Sequence, residues 1–158
     1  MTDQDLYSPP KANLETPARI PPSRPIRGIV IGTLVDIGGT LLASMVLGFV
    51  LVATHVEQVR RPEEISALLV SPPWLQVAEF VGGLFSILGG YICARYARTW
   101  EYRYAGIMIF CEIVLPLVWT GAPLAKLSAM LMGAVAVLAG AHLGRRANQH
   151  DRERAGIS

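Results

Sequence analysis

Residues 28–53 read GIVIGTLVDIGGTLLASMVLGFVLVA, an apolar run with a single charge, Asp36, and no proline. A helix needs about 20 such residues to cross roughly 30 Å of hydrocarbon. Working outward, comparable runs occupy residues 74–94, 104–120 and 124–144. Together the four take up more than half of the 158 residues, and 52% of the chain is apolar. A water-soluble domain of this size would have to expose much of that surface. A bilayer removes the conflict, provided each span satisfies its own backbone hydrogen bonds. The runs are continuous rather than alternating, which predicts helices and not a barrel. The expected fold is therefore all-α, a polytopic membrane protein with four transmembrane helices in an antiparallel bundle over 28–144.

The positive charge is unevenly placed. Eleven of the fourteen Lys and Arg residues lie in the N-terminal tail, in the connection between spans two and three, or after span four. The other connections hold only Arg60, Arg61 and Lys126. Basic segments stay on the cytoplasmic side. Both termini are thus expected on the cytoplasmic side of the membrane. This use of the basic residues leaves membrane lipids as the expected partner and no role for nucleic acid.

Residues 1–27 hold six of the eleven prolines and are expected to form a disordered cytoplasmic tail. Residues 145–158 form a second, basic cytoplasmic tail. In the first outer loop, Pro62, Glu63 and Glu64 make a good helix start, with acids at the positive end of the dipole. A short interfacial helix is expected there, before Trp74 opens span two at the membrane surface.

The sharpest pattern is a ladder of small residues with a period of four. Span one reads Gly28, Gly32, Asp36, Thr40, Ser44, Gly48; span two reads Ala78, Gly82, Ser86, Gly90, Ala94; span four has Ala136, Gly140 and Gly144. In lipid, helices associate where small side chains let their backbones approach, so these ladders predict packing seams, within the chain, in a homo-oligomer or with another membrane protein. A period of four drifts by about 40° per step around a 3.6-residue helix. The six steps of the first ladder cannot all face one partner, and its two ends are expected to meet different neighbours. The competing reading takes the Gly-Gly pairs of span two as an unwound segment lining a path.

Asp36, Glu79 and Glu112 are acids within apolar spans, each expensive in hydrocarbon by about 2.5–3.5 kcal/mol at the centre. Such groups face the bundle interior or a wet cavity. Thr40 lies one turn from Asp36, and Lys126 falls at the depth of Glu79. These five residues form the candidate intramembrane polar site. It is either a structural, hydrogen-bonded set or the coupling site of a small proton- or cation-coupled transporter. At the inner end of span two, Arg95, Arg98, Trp100 and Arg103 combine cations with an indole and predict headgroup anchoring.

Cys93 and Cys111 differ in depth, which argues against a disulfide. No metal-ligand spacing, nucleophile elbow or phosphate-cradling loop occurs, so neither catalysis, a cofactor nor a metal is expected. Residues 89–98, GGYICARYAR, preceded by Gly82-Gly83, resemble a GGYxAAR-like segment of short uncharacterised bacterial four-span inner-membrane proteins. Cys93 replaces a small residue of that pattern. The resemblance covers about twenty residues closely, implies the four-span layout, and brings no activity with it. The leading functional expectation is association, with lipid, with a second copy or with another membrane protein.

Overall fold

The computed structural model describes residues 22–54, 63–64, 71–120 and 127–156. Four long helices appear in chain order: α1 Pro25–Thr54, α2 Pro72–Ala97, α3 Glu101–Thr120 and α4 Leu127–Arg154. No strand occurs among the described residues. Two helices, Pro25–Thr54 and Pro73–Ala97, are long and apolar enough to cross a membrane. Of the expected tail over 1–27, residues 1–21 lie outside the described residues, whereas 25–27 already belong to α1. Residues 121–126, Lys126 among them, and 157–158 also lie outside the described residues. Of the expected interfacial helix only Glu63 and Glu64 are described, and both are helical.

Prolines mark the helix starts. Pro25 opens α1, while Pro72 and Pro73 occupy the first turn of α2, where a missing N–H leaves no bond unmade. Ser71 is extended, and its carbonyl accepts from the N–H groups of Trp74 and Leu75 at 3.1 and 3.0 Å. At its other end α2 stops at Arg98, in the left-handed conformation with φ 56°, whose N–H donates to the Ala94 carbonyl at 3.1 Å. Trp100 also has positive φ, 57°, and its carbonyl starts α3 by accepting from Arg103 at 2.9 Å. Two non-glycine residues in this region cost about 1–3 kcal/mol each, so the tight turn must be held by its surroundings.

α2 is the central helix. It packs against α1 on one side and α4 on another, while α1 and α4 do not touch among the described residues. Glycine makes both contacts close. A Cβ on Gly32 would lie 2.7 Å from the Gly89 carbonyl oxygen, and one on Gly89 would lie 2.7 Å from that of Gly32. On the other side, a Cβ on Gly90 would run into the Val137 carbonyl and one on Gly140 into that of Ile87. Gly89 and Gly90 are about 100° apart around the helix. Each thus serves a different neighbour, and α2 continues unbroken through both Gly-Gly pairs. The unwound alternative has no counterpart here.

The core clusters where α2 ends and α3 begins: Cys93, Ala94, Ala105, Met108, Val137 and Ala141 are all buried. Met108 of α3 fills the junction of α1 and α2, with its sulfur 3.2 Å from where a Gly32 Cβ would stand. Elsewhere the surface is apolar. On α1, Leu34, Leu42, Met45 and Phe49 are each more than 60% exposed, at 66%, 64%, 73% and 75%. A continuous face of that kind is unfavourable in water and matches a hydrocarbon solvent.

Candidate functional site

Two regions gather polar side chains, one deep between the helices and one at the end of the bundle.

The deep region is built on Asp36. It stands one rung beyond Gly32 on the α1 ladder and is only 6% exposed. The seam that brings α2 close enough to touch at Gly32 and Gly89 also delivers Ser86, whose hydroxyl donates to Asp36 Oδ1 at 2.9 Å. The same hydroxyl lies 3.2 Å from the Gly82 carbonyl of its own helix. From α3, Glu112 lies close enough to Asp36 for the two carboxyl groups to interact electrostatically. Its Oε1 is buried and has no partner among the described residues, as is true of the Thr33 hydroxyl. Three helices therefore meet at Asp36, Ser86 and Glu112. Nothing in the sequence pairs these two acids; the packing of α3 against α1 does.

The remaining members of the expected polar site lie elsewhere. Thr40 turns its methyl toward Gly82, 3.7 Å from where a Cβ would be, and its carbonyl accepts from Ser44 at 2.8 Å. Glu79 is exposed near the start of α2, and Lys126 is outside the described residues, so their pairing is not described. Ser86 had been read as a packing residue only. Its position on the Asp36 face, one turn after Gly82, was the available signal.

The ladders divide as their drift requires. Gly28, Gly32 and Asp36 are buried against α2, whereas Ser44 is exposed and Gly48 has open space where a Cβ would be. Along α2, Gly82 and Ser86 face α1, while Gly90 and Ala94 face α4. Ala78, at the outer start of the stripe, is half-buried.

The second region is a collar around the α2–α3 turn. α4 has 28 residues, about 42 Å of helix, and so outruns a hydrocarbon core of roughly 30 Å. Residues 145–154 continue this helix instead of forming a separate tail. They pack onto the turn through Asn148, which is 5% exposed. Its amide nitrogen donates to the Ala94 carbonyl at 2.9 Å and to Glu101 at 3.4 Å, and its oxygen accepts from Arg95 at 3.1 Å. Arg95 also pairs with Asp151 at 2.6 Å. That hydrogen bond, and then the guanidinium charge, hold the Asp151 carboxyl below the usual carboxylate range. Arg152 donates to the Arg98 carbonyl, which helps to hold the left-handed turn.

Aromatic rings complete the collar. The Arg103 guanidinium stacks 3.8 Å above the Trp100 ring, and Arg145 lies 5.3 Å from the centre of Tyr102. The Tyr102 hydroxyl and His142 Nδ1 share a hydrogen bond of 2.8 Å. All four residues expected to anchor headgroups, Arg95, Arg98, Trp100 and Arg103, are at this end. Asn148 was missed, because a lone Asn in a charged stretch gives no sign that it will be buried.

Among the described residues no group of three or more His, Cys, Asp or Glu side chains is placed to hold a metal ion. No protein-family model, curated protein or solved structure matches this chain.

Proposed function

We propose that this chain is a bacterial inner-membrane protein that crosses the bilayer four times, with both ends in the cytoplasm, and that it works by association rather than catalysis. The observation that carries this reading is the contrast between its two kinds of surface. The inner glycine rungs are used up inside one chain, Gly28, Gly32 and Gly89 between α1 and α2, Gly90 and Gly140 between α2 and α4. They are not available to a second copy. The basic and aromatic collar stays open, at the level where a headgroup layer would lie. Its guanidinium groups are stacked on rings, which orients them while leaving their N–H edges free to bind anions. Association is therefore directed to lipid, a membrane protein or a second copy through the collar. The test is purification of the full chain in mild detergent, followed by native mass measurement. Wild type is expected to carry anionic lipid, a second copy or a membrane partner, and Arg103→Gln/Arg145→Gln to lose it. A bare monomer in both cases overturns the reading.

A second reading is favoured by one observation, the meeting of Asp36, Ser86 and Glu112. Two carboxyl groups side by side in a low-dielectric junction favour holding a proton or a cation between them. In this reading the chain is a small proton- or cation-coupled transporter. Proton flux in reconstituted vesicles is then expected to fall in Asp36→Asn and Glu112→Gln. Unchanged flux in both removes this reading.

A further inference from the structure

A cleft of about 410 Å³ opens between the foot of α1 and the end of α2, lined by Pro22, Arg24, Arg95, Tyr96 and Arg98. Three of the five lining residues are arginines, which keep their charge at any physiological pH. Among the described residues no acidic residue is part of the lining. Asp151 compensates Arg95 from outside the cleft, and Asn148 takes up a further Arg95 N–H. Arg24 and Arg98 have no ion-pair partner among the described residues. The cleft thus joins Arg24 at the foot of α1 with Arg98 at the end of α2, whose charge also acts on Asp151, and an anion between the two arginines would be attracted by both.

The backbone around both residues is fixed in advance. The Arg24 N–H donates to the Tyr96 carbonyl at 3.0 Å, and the Arg24 carbonyl accepts from Gly28 at 3.1 Å, within the first turn of α1. Arg98 is held in its left-handed cap by the Ala94 carbonyl and by the Arg152 side chain. An anion entering here meets arginines whose backbone positions are already set, so only the side chains remain to be ordered on binding. Depth then selects the anion. Arg24 lies just before α1 and Arg98 just after α2, beside the exposed rings of Tyr96 and Trp100. If α1 and α2 cross the bilayer, this is the cytoplasmic headgroup layer.

We propose that the cleft binds the phosphodiester of an anionic phospholipid, with Arg24 and Arg98 as its ligands and Arg95 as a structural residue. The proposal rests on the four-span reading above.

The full chain in mild detergent is titrated with phosphatidylglycerol and, separately, with phosphatidylcholine, and bound lipid is counted by native mass spectrometry. One phosphatidylglycerol is expected to bind more tightly than phosphatidylcholine. Arg24→Gln and Arg98→Gln should each weaken it about fivefold, the effect of one surface cation near a lipid headgroup. Arg154→Gln, on the exposed end of α4, should leave it unchanged. Equal binding in all three variants overturns the proposal. So does displacement of the lipid by equimolar inorganic phosphate, which would assign the cleft to a free anion. Circular dichroism of each variant checks that the helices are intact. A C-terminal reporter found on the far side of the membrane would sink the four-span reading. Unaltered phosphatidylglycerol binding by a correctly inserted Arg24→Gln/Arg98→Gln chain sinks the cleft alone.

Discussion

At the scale of single residues, the glycines of this chain differ sharply in what they do. A methyl group on Gly90 or Gly140 would collide with the backbone of the facing helix, which cannot yield as a side chain can. Gly90→Ala and Gly140→Ala are therefore expected to destabilise by about 1–3 kcal/mol, as overpacked sites do. Gly82→Ala meets only the Thr40 side chain, 3.7 Å away, and Gly48→Ala meets nothing within 4 Å among the described residues. Both should be neutral or slightly stabilising, since alanine favours helix over glycine. Unfolding of the four variants in mixed detergent micelles measures this, and equal losses at all four sites would contradict the assigned seams. Ser86 makes a second case. Its hydroxyl is the group that donates to buried Asp36, so Ser86→Ala should cost about 1–3 kcal/mol although it removes a single oxygen. The same unfolding assay reads it, and a neutral result would mean that Asp36 finds another donor.

At the scale of elements, the notable feature is the length of α4. Its charged last turns are held by the buried amide of Asn148, together with the Arg95–Asp151 pair and the Arg152 bond to the Arg98 carbonyl. Asn148→Ala removes three hydrogen bonds and leaves the Ala94 carbonyl without this donor. A loss of about 1–3 kcal/mol is expected, confined to the docking of residues 145–154. Faster tryptic cleavage after Arg145 and Arg146, with the rest of the chain protected, is the observation to look for. Uniformly slow cleavage would show that docking does not depend on Asn148. Asp151 adds a pH dependence. Its folded carboxyl titrates below the unfolded value of about 4, so the Arg95 pair is complete above that value. The contribution is lost as pH falls through the lower, folded value. Acid should therefore lower the protection of the amides in residues 145–154, measured against their intrinsic exchange rate at each pH, and Asp151→Asn should abolish that pH response.

At the scale of the whole molecule, a layered arrangement follows: a tightly packed end with polar clamps, and helices clad in exposed leucine, methionine and phenylalanine. With α1 entering and α2 returning, the four-span reading places residue 156 in the cytoplasm. A fluorescent reporter that matures only there, fused after residue 156, should be bright. An alkaline phosphatase fusion at the same point should be inactive. The opposite pair of results would overturn the four-span reading with both ends in the cytoplasm.

Much of this architecture was legible in the letters. Apolar runs of sufficient length announce helices because hydrophobicity and backbone satisfaction are properties of a local segment. Along α2 the stripe turns between two neighbours, Gly82 and Ser86 facing α1 and Gly90 and Ala94 facing α4, while the far end of the α1 ladder, where Ser44 is exposed, meets no second helix among the described residues. The pairing of particular side chains was not legible. Asp36 and Ser86 are 50 positions apart, and Asn148 reaches across 54 to Ala94. Whether such groups meet depends on the rotation and register of whole helices. Those are settled jointly by every close contact along the seams, from Gly32 on Gly89 to Gly140 on Ile87, and by no single stretch of the chain.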